Sequence, residues 1–309
     1  MHAPLPVLIN RSGGTAVALG ARLEETVRAA FDVCGRDIVL ELLDGSELAD
    51  GVRRHLGASI VTVGGGDGTL GGAAQILTGT RTALAILPLG TRNHLARQLG
   101  VPLDLAEAAK VAATGERRRM DLGRAGKRIF VNNASIGLYP QLVTERDKRP
   151  GPKWLGTIPA AWQVLRTMRP HHYRLAVDGE VHPVRTPLLF VGNNRYSLEI
   201  GSLGERESLR DGELSLRAVR ADGPLQLARF ALKVLLGMAS ADAAFADLGE
   251  ARSITIENAH GRGGDICVAI DGEVVRMALP LQLDILPSAL GVVAPRVPAQ
   301  PTPLFSRTH

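Results

Sequence analysis

The residues best placed to do chemistry stand in one run, Val61-Thr62-Val63-Gly64-Gly65-Gly66-Asp67-Gly68-Thr69, an apolar segment that ends in glycines around a single carboxylate. Backbone N–H groups can approach a phosphate closely only where no Cβ intervenes, and the start of a helix adds the positive end of its dipole. Gly64, Gly65, Gly66 and Gly68 meet the first need, and Thr69 adds a hydroxyl donor. A carboxylate such as Asp67 would be repelled there unless it serves a metal ion or accepts a proton. Taken alone, the same residues also describe a tight strand–helix turn with Asp67 as N-cap. A second loop, Pro88-Leu89-Gly90-Thr91-Arg92-Asn93, follows the next apolar run. In doubly wound sheets the carboxyl ends of neighbouring strands form the ligand crevice, so Thr91 and Asn93 are expected to face the first loop's ligand. Alone, this loop too reads as a glycine turn with Thr91 as a cap.

The elements that would hold these loops follow from periodicity. Pro6 to Ile9, Ile38 to Leu43, Ala58 to Val63 and Ala83 to Leu87 are short buried strands, and the first ends in the polar turn Asn10-Arg11-Ser12-Gly13-Gly14. Between them, Ala21 to Val33 has helical spacing, Ser46 to His55 reads as a helix capped by Ser46, and a further helix reaches Leu99. This βαβαβα order predicts a doubly wound parallel sheet over residues 1–124. From 125 to 288 the character is β-rich and sandwich-like. Its strands are Arg128 to Ala134, Tyr173 to Val177, Pro187 to Val191, Leu214 to Val219, Ser253 to Glu257, Cys267 to Ile270 and Leu281 to Leu286. Asp178-Gly179, Asp211-Gly212 and Asp271-Gly272 punctuate them as turns. Two helical insertions are expected, Ile158 to Met168 and Pro224 to Met238. Periodicity fades after Pro287, and residues 289–309 read as a Pro-rich tail, mobile or packed back on the first domain.

Composition narrows the class. The 309 residues, 45% hydrophobic and 22% charged, describe a globular chain, and the 35 glycines exceed a usual share of roughly 7%. A net charge of +5 favours anionic partners, whereas 4% aromatics supply no stacking platform, so nucleic acid is not expected. Cys34 and Cys267 lack metal or CxxC spacing and read as buried, reduced thiols of a cytoplasmic protein. The sequence shows no secretory signal, nor the roughly 18 apolar residues of a spanning helix. His171 and His172 read as surface residues.

Together the loops resemble the diacylglycerol-kinase catalytic family, which includes bacterial diacylglycerol kinases and sphingosine and ceramide kinases. The family's GGDGT loop stands at Gly65 to Thr69 and its PxGTxN loop at Pro88 to Asn93, continuing through Ala96, Leu99-Gly100 and Pro102. The NPxSG turn is matched by Asn10-Arg11-Ser12-Gly13. Further matches are Asp121-Leu122, Phe130-Val131-Asn132, Gly137, Gly192-Asn193, Asp211-Gly212 with Leu214, and Asp271-Gly272-Glu273. The resemblance implies an N-terminal nucleotide domain, a β-rich lipid domain and an active site between them. It implies ATP binding by Gly64, Gly65, Gly66, Asp67, Gly68, Thr69, Leu70 and Thr91, with Asn10 and Asn93 beside them. Asp67 and Asp121 would organise Mg²⁺ and the phosphates, Glu273 would take the proton of a lipid hydroxyl, and Ser208, Asp211 and Glu213 would form a second metal site. Phosphoryl transfer needs positioning, charge neutralisation and a proton acceptor, which suits Glu273, although Asp-Gly-Glu is also an ordinary hairpin turn.

Departures from the pattern bear on specificity. Gly71-Gly72 replace an Asn-Glu pair, no Thr follows the second strand near Leu43-Asp44-Gly45, and Asn194-Arg195-Tyr196-Ser197 replace a glycine-rich run. On the lipid side, Arg146 to Arg174 holds seven basic residues, one acidic residue and both tryptophans, Trp154 and Trp162. That mixture suits either a headgroup interface or a solvated loop and packed helix. The expectation is a cytoplasmic lipid kinase, peripheral at the inner face of the membrane, using ATP and Mg²⁺ on diacylglycerol, a sphingoid base, ceramide or a related lipid, with a homodimer admitted. The alternatives are an NAD kinase-like small-molecule kinase and a catalytically silent lipid-binding regulatory protein.

Overall fold

The computed structural model describes residues 3–137, 140, 170–195, 208–219, 245–259 and 263–296. The first domain alternates β1 (Leu5–Asn10), α1 (Gly14–Leu19), α2 (Leu23–Asp32), β2 (Ile38–Leu43), α3 (Leu48–Arg54), β3 (Ile60–Gly65), α4 (Asp67–Leu77), β4 (Ala83–Pro88), α5 (His94–Gln98) and α6 (Leu105–Thr114). Its strands pair in parallel in the order β2-β1-β3-β4. The apolar runs of the central strands do not alternate with polar residues. Val7 to Ile9 and Ala83 to Leu87 are buried throughout, as a parallel sheet covered by helices on both faces requires. The helix expected over 46–55 begins later. Asp44 to Glu47 close a turn through Glu47 N on Asp44 O, Ser46 lies inside that turn, and no side chain caps α3.

The strands of the second domain are β5 (Glu116–Ala125), β6 (Arg128–Phe130), β7 (Asn133–Gly137), β8 (His171–Val177), β9 (Glu180–Thr186), β10 (Leu188–Asn193), β11 (Leu214–Val219), β12 (Phe245–Ala251), β13 (Ser253–Asn258), β14 (Gly264–Ile270), β15 (Glu273–Leu279) and β16 (Leu281–Ala294). Six of them form a sheet in the order β12-β11-β10-β7-β14-β15. Its apolar face, including Ile136, Leu189, Val191, Leu216 and Val268, shares a core with Leu175, Ile254, Ile256 and Leu283 of the layer built by β8, β13 and β16. The single strand expected over 128–134 is divided at Val131 and Asn132, whose N–H groups turn to the Asp271 carboxylate. Cys267 is exposed and Cys34 half-buried, both as free thiols. Their expected burial fails at Cys267 because its neighbours Ile266 and Val268 take the core side of β14. The exposure of His171 and His172 is as read.

The two domains share strands. β16 does not stop near Leu286: after a register shift between Leu286 and Leu290 it pairs in parallel with β4 and antiparallel with β5, as far as Ala294. Leu290, Val292 and Val293 enter the first core, and Leu281, Leu283 and Ile285 the second. The helices expected over 158–168 and 224–238, and most of the tail, lie outside the described residues.

Candidate active site

Three loops meet at the carboxyl ends of β1, β3 and β4. Gly66 is the extended N-cap of α4, and no side chain caps that helix, so its opening N–H groups remain for a ligand. Backbone meets backbone here. A Cβ added to Gly90 would come within 2.3 Å of Gly66 Cα, and one on Gly14, at φ +48°, within 2.4 Å of the Leu89 oxygen. Asn10 Nδ2 donates to Thr69 Oγ1 at 2.9 Å, tying the first loop to α4 and leaving the threonine proton to donate. Arg11 grips Asp44 through Nε and Nη2 at 2.8 and 2.7 Å, and Ser12 Oγ joins them at 3.0 Å. These hydrogen bonds, the arginine's foremost, hold the Asp44 carboxyl down at about 2.

Asp67 does not cap its own helix. Its Oδ1 accepts Leu95 N at 3.2 Å, which closes the first turn of α5 and leaves the second oxygen for the cleft that Asp67 lines. Thr91 is exposed. Asn93 is 7% exposed in the left-handed conformation, φ 52°, and its amide turns inward, accepting Gly90 N at 2.9 Å and donating to Gly90 O at 2.8 Å. Asn93 thus shapes the loop.

Across the cleft, Asp271 and Gly272, with φ 47° and 90°, make the two-residue turn between β14 and β15. The Asp271 carboxylate accepts Val131 N, Asn132 N and Asn133 N at 2.7, 2.7 and 3.0 Å. So anchored, the turn carries Glu273 to the edge of the cleft, where Arg128 Nη2 donates to Glu273 Oε1 at 3.1 Å. Asp67, Gly68, Gly71, Gly72, Arg128, Asp271 and Glu273 are among the residues lining a cleft of about 230 Å³. The Gly71-Gly72 departure therefore removes side chains from the α4 wall facing the turn.

Asp121 is 1% exposed, and its oxygens accept Ser288 N at 2.6 Å and Gly212 N at 2.8 Å. Its own carbonyl accepts Asn193 Nδ2, which also donates to Val131 O. This carboxylate clamps β5, β16 and the 208–213 turn. At that turn, Ser208 Oγ accepts Arg210 N at 3.0 Å, and Asp211 Oδ2 faces Arg195 N at 3.4 Å. Among the described residues no group of three His, Cys, Asp or Glu side chains could hold a metal ion. Ser208, Asp211 and Glu213 bring two carboxylates at most, so a second metal site there would have to be completed by backbone and hydroxyl oxygens. Mg²⁺ held with a nucleotide needs only one or two carboxylates plus phosphate oxygens, and Asp67 at the mouth of the glycine loop fits that donor set.

Arg128 and the anchoring role of Asp271 escaped sequence reasoning. The Asp-Gly turn pointed to the second. Arg128 gave no signal beyond standing near the Phe130-Val131-Asn132 match.

A doubly wound sheet whose glycine loop opens a helix, closed by a sandwich-like β domain bearing an acid, has the architecture of a phosphotransferase. Residues 4–125 match the diacylglycerol kinase catalytic domain, and residues 148–294 the YegS C-terminal NAD kinase beta sandwich-like domain. A diacylglycerol kinase of Mycobacterium tuberculosis is 30% identical over 251 residues, 78% of either chain. A probable lipid kinase, YegS-like, of Chromohalobacter salexigens is 35% identical over 188 residues, covering 56% of this chain and 60% of that one. In fold, the crystal structure of a diacylglycerol kinase from Bacillus anthracis superposes with a TM-score of 0.66 at 21% identity, over 94% of this chain and 96% of that one. The chain belongs to the diacylglycerol kinase catalytic-domain family of lipid kinases.

Proposed function

We propose that the chain transfers the γ-phosphoryl group of ATP to a lipid hydroxyl in the cleft between its domains. The observation that carries this reading is the convergence of Asp67, from the glycine loop, and Glu273, from the β14–β15 turn, on one cleft. The N–H groups opening α4 and the Thr69 hydroxyl bind the phosphates, while the Gly66–Gly90 contact fixes the two loops against each other. Magnesium, when bound, neutralises phosphate charge, and Asp67 would hold it together with phosphate oxygens. Glu273 accepts the proton of the attacking hydroxyl as the new P–O bond forms and ADP leaves.

Diacylglycerol is the first acceptor to test, since the mycobacterial relative carries that name. The basic, tryptophan-bearing segment of residues 146–174 supports work at a bilayer surface on sequence grounds alone. Among the described residues no helix is long and apolar enough to cross a membrane. The deciding experiment incubates the protein with γ-labelled ATP, Mg²⁺ and either a total lipid extract or NAD. Label in a lipid product is expected. Label in NADP, or lipid binding without any transfer, overturns the reading in favour of a small-molecule kinase or a silent binding protein.

A further inference from the structure

An ion pair between Arg128 and Glu273 stands at the edge of the cleft. Among the described residues two guanidinium groups line the cleft, Arg53 and Arg128, against the carboxylates Asp67, Asp271 and Glu273. Arg53 is paired with Asp50 on its own helix at 2.6 Å, and the Asp271 carboxylate is taken by three backbone N–H groups. Arg128 is therefore the cation that meets Glu273, and it does so through one contact of 3.1 Å between side chains 48% and 72% exposed. Such a pair is weak and readily exchanged.

Its backbone, in contrast, is held firmly. Arg128 pairs with Ala125 of β5, Phe130 is buried against Gly123, and Ile129 N donates at 2.7 Å to Gln75 Oε1 of α4, the helix that opens with the glycine loop. A fixed base with a loosely held guanidinium beside a phosphate loop suits a group that moves onto a phosphoryl oxygen, where its planar fork finds a stronger partner than one carboxylate oxygen.

Resting on the proposed ATP-dependent transfer, we propose that Arg128 is a phosphate-binding catalytic residue, and that its ion pair with Glu273 is exchanged for the terminal phosphoryl group when the donor nucleotide enters. The exchange does two things at once. It supplies positive charge where negative charge spreads over the transferring group, and it frees the Glu273 carboxylate to take the acceptor's proton. The guanidinium stays protonated throughout; the proton moves from acceptor hydroxyl to Glu273, and the electron pair of the broken P–O bond leaves with ADP.

The test compares nucleotide binding, without acceptor, in wild type, Arg128→Ala, Arg128→Lys and Glu273→Gln, using Mg²⁺ with ATP and with ADP. Arg128→Ala should lose on the order of 10-fold in ATP affinity with ADP affinity retained, and about 10²-fold or more in turnover, partly restored by added guanidinium. Lysine should recover part of the ATP preference. Glu273→Gln should keep that preference or strengthen it, since the competing carboxylate is gone. Wild-type ATP binding and turnover in Arg128→Ala overturn the inference. So does an equal loss for ATP and ADP shared by Arg128→Ala and Glu273→Gln, which marks the pair as structural. Failure of the wild type to bind ATP or transfer phosphate rejects instead the proposed function beneath it.

Discussion

Replacing Gly90 by alanine should damage catalysis through geometry alone, because the new methyl meets main chain on the opposite loop. Its ideal position lies 2.3 Å from Gly66 Cα, 3.2 Å from Gly66 N and 2.8 Å from Asn93 Oδ1. Carbon atoms in contact sit about 3.5–4.0 Å apart, so the two loops must separate by more than about 1 Å. Neither can yield by changing a rotamer. Overpacking of this kind costs about 1–3 kcal/mol of stability, and a displacement of about 1 Å at a reacting centre costs about 10²-fold in rate, near 2.7 kcal/mol. Gly72→Ala is the matched control, since nothing lies within 4 Å of its added Cβ. On α4 it should gain up to about 1 kcal/mol in helix propensity. Thermal melts and kcat/KM with labelled ATP measure both. Turnover of Gly90→Ala within about two-fold of wild type would show that the loop contact does not position the phosphates.

The other expectations concern single carboxylates. Asp67→Asn should lose at least about 10²-fold in turnover with an unchanged melting temperature, because the amide oxygen can still accept Leu95 N; near-normal turnover removes Asp67 from the chemistry. Glu273→Gln should lower kcat far more than it weakens ATP binding in a direct titration, whereas the reverse pattern would make Glu273 a nucleotide ligand. Asp121→Ala should cost about 3 kcal/mol in a denaturant titration by stranding two half-buried amides; a wild-type midpoint with abolished turnover would place Asp121 in the chemistry and not in the clamp. The Asp44 carboxyl titrates at about 2 when folded, against an ordinary 3.8, so its grip on Arg11 is complete above about pH 4 and lost as the pH falls through 2. Asp44→Asn should abolish the part of the acid transition that lies between those values, as read by circular dichroism; an unaltered acid limb would remove this pair as its cause.

The glycine turn between β3 and α4 was legible because its physics is local: a buried strand, a Cβ-free turn and a helix start are adjacent in sequence. Asp271-Gly272 was legible as a turn for the same reason. Roles set by distant partners were not. Asp121 stands among family matches, yet its oxygens meet residues 212 and 288, far along the chain. Asn93 is a local case by contrast: its left-handed backbone folds its amide onto Gly90, three residues back, and the sequence does not announce that conformation. Long elements were hidden by local disruptions. Glu116-Arg117-Arg118-Arg119 disguises the start of β5, Pro183 the edge strand β9, and Pro287-Ser288, at the register shift, the continuation of β16.

That continuation sets an order on biosynthesis. On the ribosome the first domain emerges with β4 uncovered along its outer edge, because the strand that pairs with Ala83 and Leu84 is made late, at Gly291 and Val292. An unpaired edge in a nascent parallel sheet is open to wrong partners, so the protein should rely on chaperones until Gly291 and Val292 have been made. A chain that stops short of Leu281 lacks the β16 residues of both cores, so neither domain is finished until β16 is added.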